Sequence, residues 1–135
     1  MTITANILLV DDVEYSRELL RVSLIGCINE LKEDIDAHFF HSASGLDILD
    51  EIEKHNINLI YLDIELPKTT GIDVLREIRL SPLSDVMVIM VSGESSAENV
   101  TAAIEIGANG FIVKPFNAGR ILDSIQNFVK KEHKK

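Results

Sequence analysis

Apolar residues in this chain gather in short unbroken runs, separated by longer stretches with helical spacing. The runs are residues 7–10, 59–62, 86–91 and 111–113. None alternates with polar residues, and each is too short for a helix. Such a run fits a strand covered on both faces, as in a parallel sheet. A weaker run, 37–40, has polar neighbours on both sides and fits an edge strand.

Helical patterns lie between the runs. Residues 14–28 place Leu19, Leu20, Val22, Leu24 and Cys27 or Ile28 at helical spacing. Residues 45–55 do so with Leu46, Ile48, Leu49 and Ile52, and residues 71–79 with Ile72, Val74, Leu75 and Ile78. Residues 95–106 carry Ala97, Val100, Ala103, Ile104 and Ile106, with Gly107 as the expected stop. Residues 117–131 carry Ile121, Leu122, Ile125, Phe128 and Val129. The polar segment 29–36 reads as extra helix or as a solvated loop. Strand and helix alternate five times, which predicts an α/β domain with a parallel sheet and helices on both faces.

Composition narrows this picture. A length of 135 residues, 46% hydrophobic, fits one domain spanning 1–135. The single cysteine, Cys27, can form neither an internal disulfide nor a zinc site, and it sits in an apolar helical pattern. No apolar run is long enough to span a membrane. Residues 1–6 lack the basic start and apolar middle of a signal peptide, so we expect a cytoplasmic protein. His38, His41, His55 and His133 show no metal-ligand spacing and read as structural or solvated.

The net charge of −9 argues against direct nucleic-acid binding and against an acidic membrane surface. The charge has two readings. One is a solvated surface; the other is carboxylates gathered for a cation. In an open parallel sheet, ligands bind at the C-terminal strand ends. There the chain places Asp11 and Asp12, then Asp63, Ser92 and Lys114. Three carboxylates at one edge repel unless a cation joins them. A hard, oxygen-seeking ion such as Mg²⁺ suits them. Lys114 adds a fixed positive charge and Ser92 a hydroxyl donor. Such a set can receive a phosphoryl group, with Asp63 as nucleophile. Taken singly, each residue has a plainer role: Asp as a turn or helix cap, Ser92 in a turn, Lys114 at an exposed strand end. It is the coincidence of all of them that points to chemistry.

These residues carry a resemblance. The chain resembles the receiver domains of two-component response regulators, specifically chemotaxis-regulator-like ones, over nearly its whole length. The matching segments begin with residues 7–12, ending in Asp11-Asp12, and Asp63-Ile64-Glu65-Leu66-Pro67-Lys68-Thr69-Thr70-Gly71. Val91-Ser92-Gly93 and residues 107–116, which include Lys114-Pro115, complete them. Arg17 and Leu20 also fall where the family's first helix has Arg and Leu.

The resemblance implies a doubly wound, flavodoxin-like three-layer fold with a five-stranded parallel sheet in order 2-1-3-4-5. It makes Asp63 the phosphoacceptor. Asp12 becomes a direct Mg²⁺ ligand, Asp11 a ligand through water, and the Glu65 backbone carbonyl the third protein ligand. Ser92 hydrogen-bonds the phosphoryl group, Lys114 pairs with it, and Phe111 is the aromatic switch. The Lys114–Pro115 peptide is expected to be cis. A histidine kinase, a histidine phosphotransfer protein or a small phosphodonor supplies the phosphoryl group. Ser92 then moves inward, Phe111 follows, and the face built from 95–106, 110–113 and 117–129 changes its preference for a downstream protein target. A homodimer on phosphorylation is left open.

Several positions depart from the common pattern. Ser92 replaces Thr, keeping the hydroxyl but losing a methyl. Phe111 replaces Tyr, losing a hydroxyl. Gly93 is expected to leave the phosphoryl group open to water. Glu65 and Glu94 stand at two positions that tune reaction rates, and both are expected near Lys114 or Lys68. The segment between the first helix and second strand is longer than in compact members, which predicts a longer first helix or an added helical turn around 28–33.

Because only a lysine-rich tail follows the last helix, we expect a stand-alone regulator acting by protein contact, not an enzyme. A receiver excised from a hybrid kinase is the alternative. An aspartyl-nucleophile phosphatase fits less well, because its nucleophile follows the first strand in an Asp-x-Asp motif. A flavodoxin-like cofactor binder lacks its phosphate loop here.

Overall fold

Successive apolar residues of the central strands go to different cores, which explains why the runs do not alternate. In the computed structural model, which describes residues 1–93 and 97–135, Ile7 and Leu9 join one buried cluster, and Leu8 and Val10 the other. The strands are β1 (Thr2–Val10), β2 (Asp34–Ser42), β3 (Leu59–Asp63), β4 (Met87–Ser92) and β5 (Gly110–Val113). They form one parallel sheet in order β2-β1-β3-β4-β5. The helices are α1 (Glu14–Glu30), α2 (Ile48–Lys54), α3 (Gly71–Arg79), α4 (Ala97–Ile106) and α5 (Ala118–His133).

Helices α1 and α5 cover one sheet face through Leu20, Leu24, Cys27, Ile121, Ile125 and Phe128. Helices α2, α3 and α4 cover the other through Ile48, Ile52, Val74, Leu75, Ile78 and Ala103. Every residue of β3 and β4 is buried. The order and three-layer architecture are those expected. Among the described residues, no helix is long and apolar enough to cross a membrane.

Three details differ from the sequence reading. First, β1 begins at Thr2, five residues before its apolar run. Its first half pairs only with β2, from Thr2↔Asp34 onward, whereas pairing with β3 starts at Ile7↔Leu59. This two-stranded extension has one covered face, where Ile3 and Ala5 are buried, and one open face, where Thr2 and Thr4 are exposed. Its pattern therefore alternates, as a half-buried strand must. The segment 29–36 is divided accordingly between the end of α1, a short turn and the start of β2.

Second, the stripe of α1 that meets the sheet is Leu20, Leu24 and Cys27. Leu19 and Val22 are 44% and 57% exposed. Only one face of a 3.6-residue helix can meet the sheet, and these two lie off it. Ile104 of α4 is exposed for the same reason. Third, α2 begins at Ile48 rather than near residue 45, and Leu46 is exposed. The hydroxyls of Ser42 and Ser44 accept the amides of Gly45 and Leu46, holding this stretch as a turn. By contrast, Gly107 ends α4 as expected. It has φ +113, and its amide donates to the Ala103 and Ile104 carbonyls.

One buried polar pair links β3 to α5. The Ser124 hydroxyl donates to the Ile121 carbonyl at 2.6 Å, so the Tyr61 hydroxyl donates to Ser124 Oγ, also at 2.6 Å. Burial pushes the Tyr61 phenol above its usual range. Ser124→Ala leaves that phenol buried without a partner and is expected to cost about 1–3 kcal/mol, whereas Tyr61→Phe, which leaves Ser124 bonded, costs about 1 kcal/mol. Urea denaturation of both variants checks the order; a larger loss for Tyr61→Phe would reverse it.

Candidate functional site

The parallel register brings the polar residues together. Val10 pairs with Leu62, and Asp63 with Val91. The next steps are therefore Asp11 beside Asp63, with Ser92 at the end of β4. Ser92 pairs with Val113, and the Lys114 amide donates to the Ser92 carbonyl at 2.9 Å. On the other side, the Asp11 amide donates to the Ser42 carbonyl at 3.1 Å. Each side chain is thus fixed by backbone bonds at the C-terminal edge of a buried sheet.

Lys114 is the hub of the charges. Its Nζ lies 2.8 Å from Asp11 Oδ2 and 3.0 Å from Asp63 Oδ2. Asp11 and Asp63 are buried, and Asp12 is exposed. Carboxylate oxygens of all three lie within 4.8 Å of one another, close enough to share one cation. The Val13 amide donates to Asp11 Oδ1 at 2.9 Å, and the Glu65 amide to Asp63 Oδ1 at 3.1 Å. The turn role of these aspartates and their place in the cluster thus coexist in the same side chains. Arg17 Nη1 donates to the Asp11 carbonyl and holds the β1–α1 turn.

The two buried carboxylates behave differently. Burial works against the charge of Asp11, but Lys114, the Val13 amide and Ser16 outweigh it and hold its pKa below the ordinary value. For Asp63, burial wins. Lys114 and the Glu65 amide oppose it, but the Asp11 charge adds to it, and the pKa rises from 3.8 to about 6. Burial also works against the Lys114 charge, but its two carboxylate bonds prevail and push its pKa up. The site therefore holds more negative charge than its one lysine balances.

Ser92 is fully buried, and its hydroxyl donates to the Glu65 carboxylate, 2.8 Å from Oε1 and 2.9 Å from Oε2. This differs from the expectation that Glu65 turns to Lys114 or Lys68. Lys114 is held by two aspartates, and Glu65 accepts from the serine hydroxyl instead. Gly93 is exposed, and Glu65 Oε1 lies 3.9 Å from where a Gly93 Cβ would stand. Glu94 lies outside the described residues.

Phe111 is half-buried against the cluster under α3 and α4. The Lys114–Pro115 peptide is cis. Arg79, which the sequence pattern does not single out, ties the α4–β5 turn to the end of α3. It donates to the carbonyls of Gly107 (3.0 Å), Ser84 and Val86 (2.7 Å each) and to Asn109 Oδ1 (2.9 Å). Asn109 Oδ1 also accepts the Val88 amide at 2.9 Å, so the turn leading to Phe111 is pinned to β4. A helix-terminal arginine looks like surface charge until the chain closes around it.

Two further features lie outside the site. Tyr15, Leu19 and Val22 of α1 are 76%, 44% and 57% exposed and follow helical spacing. Val13, next to the acidic pair, is also exposed. The histidines form no cluster: His38, His41, His55 and His133 each face a carboxylate of Asp36, Glu18, Glu51 and Glu33 respectively.

The family described as "Response regulator receiver domain" matches residues 7–126. The chemotaxis protein CheY of Bacillus subtilis (strain 168) is 31% identical over 119 residues, covering 88% of this chain and 92% of that one. The CheY of Pseudomonas aeruginosa is 29% identical over 128 residues, with 93% and 96% covered. Among solved structures, a CheY-like response regulator receiver domain protein from Methanospirillum hungatei JF-1 superposes with a TM-score of 0.75 at 27% identity. That match covers 98% of this chain and 99% of the other.

Proposed function

This chain belongs to the response regulator receiver domain family of two-component systems, and on that premise we propose that it is an Mg²⁺-dependent phosphoryl acceptor whose nucleophile is Asp63. The observation that carries the reading is the single lysine bridging two buried aspartates, with a third carboxylate within 4.8 Å. The donor set fits Mg²⁺, since hard carboxylate oxygens outnumber the cation present. Asp11, Asp12, Asp63 and the Glu65 backbone carbonyl would hold the ion. When bound, it neutralises charge on the acceptor and on the incoming phosphoryl group.

The protein's own part follows from its charges. An oxygen of ionised Asp63 attacks phosphorus and forms the acyl phosphate bond. The donor's bond to phosphorus breaks, and its electron pair leaves with the donor. Lys114, released from Asp63, pairs with the phosphoryl oxygens. Ser92 supplies a hydrogen bond to the same group, and Phe111 follows it inward, altering the α4–β5–α5 face for a downstream protein. The donor is a histidine kinase, a phosphotransfer protein or a small acyl phosphate. The exposed stripe Tyr15, Leu19 and Val22 beside the site suits docking by such a protein.

Incubation with acetyl phosphate and Mg²⁺ is expected to add the mass of one phosphoryl group, borne by the peptide containing Asp63. Chelation of the metal should abolish the gain. A gain that survives chelation, or that maps to another residue, would refute the assignment.

A further inference from the structure

We infer that the Glu65 carboxylate is an internal stand-in for the phosphoryl group, holding the Ser92 hydroxyl until phosphorylation displaces it. This deepens the proposed function and rests on it. Three observations converge. Ser92 is fully buried yet donates to both oxygens of an otherwise exposed glutamate, at 2.8 and 2.9 Å. The same residue is tied to the acceptor through its backbone, since its amide donates to Asp63 Oδ1 at 3.1 Å. Its Oε1 lies 3.9 Å from where a Gly93 Cβ would stand, so the carboxylate sits beside the residue that follows Ser92.

A carboxylate presents two equivalent anionic oxygens to a hydroxyl, as a phosphoryl group does with its own. The serine has one hydrogen to donate, so Glu65 and a phosphoryl group on Asp63 compete for it. Both acceptors are anionic, and the glutamate must withdraw before an incoming phosphoryl group can take its place. Glu65 therefore acts as a positioning residue. It holds Ser92 in the unphosphorylated arrangement and slows acceptance. Simple repulsion by a glutamate would act whether or not Ser92 were present; the hold on the hydroxyl requires both.

The test is a double-mutant cycle with Glu65→Ala, Ser92→Ala and the pair, read two ways. In urea denaturation of unphosphorylated protein, the two changes are expected to couple by roughly fivefold to tenfold in the unfolding equilibrium constant. In acetyl phosphate labelling, Glu65→Ala is expected to speed phosphorylation roughly tenfold with Ser92 present and about twofold or less with Ala at 92. Additive denaturation results would overturn the inference. So would an equal gain, or no gain, in both labelling backgrounds. Asp63→Asn is carried alongside. Equal labelling of that variant would remove the phosphoacceptor reading, while the denaturation cycle would still report on the Glu65–Ser92 bond.

Discussion

Asp63→Asn is expected to abolish phosphoryl incorporation and to stabilise the metal-free protein at neutral pH. The first effect follows because an amide cannot form the acyl phosphate. The second follows from burial. Asp63 is 4% exposed, and its pKa rises from 3.8 to about 6 despite Lys114 at 3.0 Å. A raised carboxyl pKa means that the folded chain holds a proton the unfolded chain has already released. Between about pH 4 and pH 6, stability therefore falls as pH rises, and above that window the loss is complete. The shift sets a ceiling of about 3 kcal/mol, and with Lys114 left to Asp11 we expect Asp63→Asn to gain about 1–3 kcal/mol at pH 7. Urea denaturation in chelator should show the two proteins converging near pH 4 and separating by pH 7. Mg²⁺ should then stabilise the wild type more than the variant, narrowing the gap. A gap independent of pH would sink the account. Asp11, held below its ordinary pKa, contributes in the opposite sense, and that contribution is lost as pH falls through its folded pKa.

Gly71→Ala is expected to damage both fold and site. A Cβ at Gly71 would stand 2.1 Å from the Asp63 carbonyl oxygen and 2.8 Å from the Ile64 Cα. These are backbone atoms, so no side chain can turn away to make room. The Gly71 amide also donates to the Ile64 carbonyl at 2.8 Å, closing the loop that carries Glu65 back onto β3. An added methyl must push α3 away from the end of β3, a displacement that costs about 3 kcal/mol or more. It also moves Asp63, so phosphorylation should fall even in molecules that remain folded. Gly26→Ala is the matched control. A Cβ there meets nothing within 4 Å inside α1, and removing a helix-interior glycine should stabilise by about 0.5–1 kcal/mol. Denaturation midpoints and acetyl phosphate labelling of both variants check the contrast. A Gly71→Ala protein as stable and as active as the parent would show that the close approach carries no weight.

Particular residues mark how far one-dimensional reading reaches. The strands at 59–62, 86–91 and 111–113 were legible because burial on both faces demands unbroken apolar runs. The first half of β1 was not. It is covered on one face only, and six residues of mixed polarity resemble a disordered start. Leu19 and Val22 share the apolar helical spacing of Leu20 and Leu24, and apolar character says nothing about which way a helix turns. The helix faces the sheet with Leu20 and Leu24, and the other two are left for solvent or a partner. Arg79 was invisible because its partners are mostly carbonyl groups, which every residue possesses.

The site divides in the same way. Asp11, Asp12, Asp63, Ser92 and Lys114 were legible because each directly follows or closes a strand, and a parallel sheet gathers strand ends at one edge. Which of the bridged carboxylates holds its charge to lower pH was not legible, since Asp11 and Asp63 are the same residue type in similar positions. The difference comes from counting donors: Lys114, the Val13 amide and Ser16 on one, Lys114 and the Glu65 amide on the other. The place of Glu65 differs from the expectation for a related reason. Charge alone sends a glutamate to a lysine, but the lysine is already held, and a buried hydroxyl faces the glutamate instead. Sequence alone determined the chemistry at the sheet edge, because residue type and strand position set it. Tertiary structure decided how those groups pair, because hydrogen-bond partners depend on distances between residues far apart in the chain.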